Sequence, residues 1–168
     1  IKAACDFYGV DLVGGDTSST NKGMVISITA LGIGKTNEIV YRNTAKVGDI
    51  VCVTGNLGGA YLGLQLLERE KQLFLDNPKT QPDLEGQDFV VGRQLKPEAR
   101  KDIIQLFHDK NLIPTSLIDV SDGVASDLFH ICQQSGVGAF IEEDGVPIKQ
   151  EAQLLAIKFN LDPITCAL

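Results

Sequence analysis

The sequence has no CxxC pair, no basic stretch, no long apolar run and only two histidines, and each scarcity narrows what the chain does. Its four cysteines, Cys5, Cys52, Cys132 and Cys166, lie far apart. That pattern reads as reduced, mostly buried thiols of a cytoplasmic protein, not as a disulfide framework or a zinc site. Lys and Arg are scattered over a chain of net charge −7, and the densest basic cluster, Lys96 to Lys101, is broken by Glu98. No nucleic-acid partner is therefore expected. No apolar segment approaches the roughly 20 residues that span a bilayer, and no signal-peptide pattern opens the chain, so no membrane partner is expected either. His108 falls at a helix end and reads as a surface residue facing the helix dipole, whereas His130 reads as a core histidine between Leu128 and Ile131. Neither belongs to a Ser/His/Asp or Cys/His arrangement, so the residues offer no nucleophile or general base for hydrolysis.

What is present is enough for a packed core: 168 residues, 43% of them apolar, suffice for one domain or for one domain and part of another. Both ends read as cut, and the chain is expected to be an internal piece of a longer protein. Ala3 to Tyr8 reads as a helix ended by Gly9. Val10 to Val13 and the alternating run Met24 to Gly34 read as strands. Glu38 to Tyr41 and Ile50 to Thr54 read likewise, the latter as a strand buried on both faces. Helices are expected from Ala60 to about Phe74, from Pro97 (as an N1 proline) to Lys110, from Val124 to Gln134 and from Gln150 to Phe159. Leu75 to Gln87, polar and carrying Pro78 and Pro82, reads as a mobile loop and a candidate lid. Asp88 to Leu95 stays ambiguous, and Val137 to Glu142 reads as a further strand.

Chemistry concentrates in two places. Ile118-Asp119-Val120-Ser121-Asp122-Gly123 sets two carboxylates three apart around a hydroxyl, between an apolar run and the start of a helix. A helix N-terminus suits phosphate. Two carboxylates there repel phosphate unless a hard cation such as Mg²⁺ lies between them. On this stretch alone the plainer reading has the edge: Asp122 or Ser121 caps the helix and Asp119 ends a strand. The second place is Gly14-Gly15-Asp16-Thr17-Ser18-Ser19-Thr20, where glycines allow close backbone approach and Asp16 with the hydroxyls offers oxygen ligands; it reads equally as a turn between strands. Gly32-Ile33-Gly34-Lys35-Thr36 lacks the earlier glycine of a P-loop, Thr29 standing in its place.

Val13-Gly14-Gly15-Asp16-Thr17, Arg42-x-x-Ala45-Lys46-x-Gly48-Asp49, Val53-Thr54-Gly55 with Gly58, and Ile118 to Gly123 occur in an order and spacing that resembles the thiamine-monophosphate kinase family, of the aminoimidazole-ribonucleotide synthetase superfamily. Leu128-x-His130-Ile131, Ser135-Gly136-Val137-Gly138-Ala139 and Val146-Pro147 extend the resemblance over essentially the whole chain. It implies an α/β (α+β) fold of two domains, each a mixed sheet with helices packed on one side. Residues 1–37 would end an N-terminal ATP-binding and dimerisation domain, and residues 38–168 would form most of the C-terminal domain. It also implies direct, in-line transfer of the γ-phosphoryl group of ATP to thiamine monophosphate, with several Mg²⁺ ions, in a cytoplasmic homodimer.

Carried over by position, the resemblance gives Gly15, Asp16, Arg42 and Ser121 to ATP, and Asp16, Asp119 and Asp122 to Mg²⁺. No residue is implied as nucleophile or general base. Such a reaction joins two anions, so positioning and charge cancellation suffice. The family's further acidic ligands and its glycine-glycine-glutamate-aspartate-tyrosine segment fall outside this chain, so the fragment alone is expected to be inactive. Two rivals remain beside this reading: another ATP-using synthetase or maturation enzyme of the superfamily, and a non-catalytic ATP-binding or dimerisation module. A calcium loop at Asp119 fails the EF-hand spacing.

Overall fold

Apolar residues recurring at helical spacing decide most of the regular structure in the computed structural model, which describes residues 1–168 and divides them into two units, Ile1–Ile39 and Val40–Leu168. In the first unit, α1 (Lys2–Tyr8) ends on Gly9, whose left-handed backbone (φ 70°) turns its N–H back to the Cys5 carbonyl, as a glycine C-cap does. A single 3₁₀ turn, Thr36–Glu38, closes the unit, with Lys35 Nζ 2.8 Å from Glu38 Oε1.

The second unit carries the core. α2 (Gly59–Asp76) buries Leu62, Gly63, Leu66 and Glu70 along one face, the i, i+4 stripe of an amphipathic helix. α3 (Asp88–Leu95) lies against that stripe so closely that a Cβ at Gly63 would run into the Val90 carbonyl. α6 (Gln150–Lys158) adds Ala152, Leu155 and Ala156 to the same cluster, with Phe89, Ile148 and Phe159 packed around it. Burying each leucine of this kind stabilises the fold by roughly 1.5–3 kcal/mol. α7 (Pro163–Ala167) starts at Asp162, whose Oδ2 accepts from Thr165 N and Oγ1, both at 2.7 Å. α4 (Lys101–Asp109) and α5 (Val124–Ser135) complete the helices, and Gly136, in the left-handed region, ends α5.

The mixed sheets expected from the sequence are not present. Val10–Val13, Met24–Gly34, Glu38–Tyr41, Ile50–Thr54 and Val137–Glu142 pair with no neighbouring strand; sheet pairing is limited to a lone parallel bridge, Leu57 to Ile148, beside a Leu57 N–H to Pro147 carbonyl bond of 2.9 Å. A strand persists only where a neighbour takes its backbone N–H and C=O groups, and alternation in sequence cannot supply that neighbour. Ile50, expected to be buried, is accordingly 87% exposed.

Other expectations need correcting. α4 begins at Lys101, four residues past Pro97, and the ambiguous Asp88–Leu95 segment is helical. α2 runs on to Asp76, so the loop starts at Asn77 and is held down where buried Glu70 accepts the Asp83 N–H at 3.0 Å. His130 is exposed, on a helix that contributes no residue to the core cluster. All four cysteines are free, but none is fully buried and Cys52 is exposed.

Candidate phosphate and metal site

Hydrogen bonds between distant segments build the frame of the site. The Tyr41 carbonyl accepts from Ser116 Oγ (2.9 Å), Thr44 Oγ1 (3.2 Å) and Leu117 N (3.3 Å). Asp49 Oδ2 accepts from Thr115 Oγ1 (2.6 Å) and from Lys46 N (2.8 Å), closing the Lys46–Asp49 turn onto the same segment. Ser135, at the end of α5, donates to the Arg42 carbonyl and accepts from Ala45 N. Arg42 is thereby fixed on the side of the loop that carries Asp119.

Ser121 Oγ donates to Asp119 Oδ2 at 2.6 Å. That bond, with help from a backbone N–H and the positive charge of Arg42, holds the Asp119 carboxyl below the ordinary aspartate range, so it is ionised at neutral pH. The helix is not capped as expected. Its N-cap is Gly123, with no side-chain cap bond. Gly123 has φ 123° and ψ 150°, and a Cβ there would meet the Leu168 carbonyl oxygen at 2.5 Å, so glycine is required on both counts. The Leu168 carbonyl instead takes the Ala125 N–H of the first turn at 2.9 Å. The loop's own N–H groups are bound by Asp127, one turn into α5: its Oδ2 accepts from Ser121 N at 2.9 Å and from Asp122 N at 3.2 Å.

Arg42, Asp119, Ser121 and Asp122 all line one cavity of about 1450 Å³. The same cavity is also lined by Asn56, Leu57, Gly58 and Gly59 at the head of α2, with Arg93, Arg100 and Lys101. Arg93 Nη2 donates to the Asn56 carbonyl at 3.3 Å, and Arg100 makes a forked pair with Asp102 (3.0 and 2.8 Å). Four of the six expected site residues are thus brought together in the second unit. Gly15 and Asp16 belong to the first unit, where both are exposed.

The donor set fits Mg²⁺ in its usual mode, in which one or two carboxylates share the ion with water and substrate phosphate oxygens. Asp119 is ionised and Asp122 faces the same space, while no group of three or more His, Cys, Asp or Glu side chains is gathered to form a protein-only cage. Sequence reasoning missed Asp127, Arg93, Arg100 and Asn56. An acidic residue in the first turn of α5 was a readable signal for Asp127, and Arg100 lay inside the basic cluster already noted. Arg93 and Asn56 carried no local signal.

Comparison with known proteins supplies the relatives. Residues 46–165 match the family described as AIR synthase related protein, C-terminal domain. The chain is 34% identical to thiamine-monophosphate kinase of Aquifex aeolicus (strain VF5), over all of this chain and 50% of that protein. It is 35% identical to the kinase of the same name from Bacillus subtilis (strain 168), over 86% of this chain and 42% of that one. Among solved structures, AaThiL complexed with AMPPCP and TMP superposes with a TM-score of 0.78 at 28% identity, over 99% of this chain and 49% of that one. The crystal structure of thiamine monophosphate kinase from Aquifex aeolicus gives 0.75 at 29% identity, over 99% and 52%. The chain spans about half the length of the curated relatives it matches.

Proposed function

The chain belongs to the AIR synthase related family, whose C-terminal domain it carries over residues 46–165, and from that membership we propose that it forms part of an ATP-dependent thiamine-monophosphate kinase. The observation that carries this reading is the convergence of Arg42, Asp119, Ser121 and Asp122 on one cavity, in a chain whose fold matches a protein solved with an ATP analogue and thiamine monophosphate.

In the proposed reaction an oxygen of the thiamine monophosphate phosphate bonds to the γ-phosphorus of ATP as the β–γ bridging bond breaks, giving thiamine diphosphate and ADP. Arg42 neutralises phosphate charge, and Ser121 contacts the nucleotide while orienting Asp119. Gly15 offers a backbone N–H to ATP and Asp16 a carboxylate beside it. Asp119 and Asp122 would hold Mg²⁺, as Asp16 of the first unit would by the family resemblance, and the bound ion would supply the charge cancellation that lets two anions approach. No side chain serves as nucleophile or general base in this scheme; positioning and electrostatics carry the rate.

The proposal extends to the whole protein: residues 1–37 as the end of an N-terminal domain, residues 38–168 as most of a C-terminal one, mixed sheets completed by strands beyond this chain, and a cytoplasmic homodimer. No helix is long and apolar enough to cross a membrane. The test is product formation by the complete protein from ATP with thiamine monophosphate, formylglycinamidine or selenide substrates. Thiamine diphosphate as the sole product supports the kinase. Turnover of another substrate moves the protein to a sister enzyme, and nucleotide binding without turnover marks a non-catalytic module.

A further inference from the structure

Two charged side chains are packed out of solvent, Glu70 and Asp127, each 5% exposed. Glu70 holds down a loop. Asp127 sits under the candidate site: it is absent from the cavity wall, yet every residue from Asp119 to Gly123 lines that wall. A carboxylate withdrawn from water is tolerated only where donors meet it, and bonds to an ionised acceptor are stronger than neutral ones. Here the donors are the Ser121 and Asp122 N–H groups, at 2.9 and 3.2 Å, while the backbone N–H of Asp127 itself reaches the Gly123 carbonyl at 3.0 Å. Ser121 is therefore held at two points, by its N–H on Asp127 and by its Oγ on Asp119 Oδ2.

We propose that Asp127 is a positioning residue for phosphoryl transfer: it clamps the Ser121 and Asp122 peptides to α5, and so presents the Asp119 and Asp122 carboxylates at a fixed spacing. This rests on the kinase reading above. The loop has no side-chain cap to fix it from the helix side. Asp127 replaces the missing cap with a bond in the reverse direction, from helix side chain to loop backbone.

The test uses the complete protein and compares wild type, Asp127→Ala, Asp127→Asn, Ser126→Ala and Asp119→Asn for kcat, KM for each substrate, and the Mg²⁺ concentration giving half-maximal rate. Asp127→Ala is expected to lower kcat and raise the Mg²⁺ requirement, each by about 10- to 100-fold, as loss of a partner that orients metal ligands does. KM for thiamine monophosphate stays as in wild type. Asp127→Asn keeps an acceptor oxygen and recovers most of the loss, and Ser126→Ala, on the exposed side of the same turn, matches wild type. A merely structural Asp127 would lower the yield of folded enzyme but leave its kcat and Mg²⁺ requirement unchanged, which overturns the proposal. Should Asp127→Ala fail to fold, Asp127→Asn decides: its weaker, uncharged acceptor raises the Mg²⁺ requirement about threefold, and a wild-type requirement overturns the proposal. Asp119→Asn separates the two claims. If it retains full activity, the kinase site itself is wrong; if it is inactive while Asp127→Ala matches wild type, only the positioning role falls.

Discussion

Ser121 and Asp119 form a short internal pair, with Oγ donating to Oδ2 at 2.6 Å, and this hydroxyl is the main reason the Asp119 carboxyl lies below its ordinary range. Ser121→Ala removes the donor, so the carboxyl moves up towards its ordinary value. A lowered carboxyl keeps its charge above the folded pKa and loses it as pH falls through that value, so the variant loses the charge at a higher pH than wild type. Carbon-detected NMR titration of the Asp119 side chain reads this directly, and an unchanged midpoint contradicts it.

Gly123→Ala should be severe. The position has a backbone conformation that only glycine adopts readily, and the added Cβ would meet the Leu168 carbonyl. The backbone conflict alone costs about 1–3 kcal/mol. A lowered melting temperature, with loss of the Ala125-to-Leu168 hydrogen bond seen as faster amide exchange at Ala125, is the expected result.

The Asp49 carboxyl is lowered first by Thr115 Oγ1 and then by the Lys46 N–H. Its contribution to stability is present above the ordinary aspartate value of 3.8 and is lost as pH falls through the lower folded value. Thr115→Val should therefore narrow the difference in stability between neutral pH and pH below that window. Denaturant melts of both proteins at the two pH values measure it.

Leu62→Ala tests the core. Leu62 of α2 is fully buried in the cluster shared with α3 and α6, and truncation of such a leucine costs about 2–5 kcal/mol. Chemical denaturation should show the midpoint falling with little change in slope.

The helices were legible because each carries its own signals. Tyr61, Leu64, Leu67 and Leu75 at helical spacing marked α2, although the face that packs is the neighbouring one through Leu62, Leu66 and Glu70, and Gly9 and Gly136 marked the ends of α1 and α5. The α4 start was misread because Pro97 is a permitted first residue without being an obligatory one. Strands were legible only as potential: Met24 to Gly34 alternates, but pairing depends on a second segment that alternation does not specify. In the site, Asp119, Ser121 and Asp122 stood out as clustered oxygen groups, and the family resemblance gave them their roles and added Arg42. Asp127 was signalled only as an acidic residue in the first turn of α5, and its role was not, because its partners are backbone N–H groups, which every loop sequence possesses alike. On propensity the helix cap falls to Asp122 or Ser121, whereas the structure places Gly123 there, a position whose steric demand only glycine meets.

The most direct test of the central claim is calorimetric titration of AMPPCP into the complete protein, with and without Mg²⁺, for wild type and Asp119→Asn. The account predicts tight binding that requires Mg²⁺ in wild type and collapses in the variant. Binding that is indifferent both to Mg²⁺ and to the substitution would contradict it, leaving Asp119 with no part in holding a metal–phosphate complex.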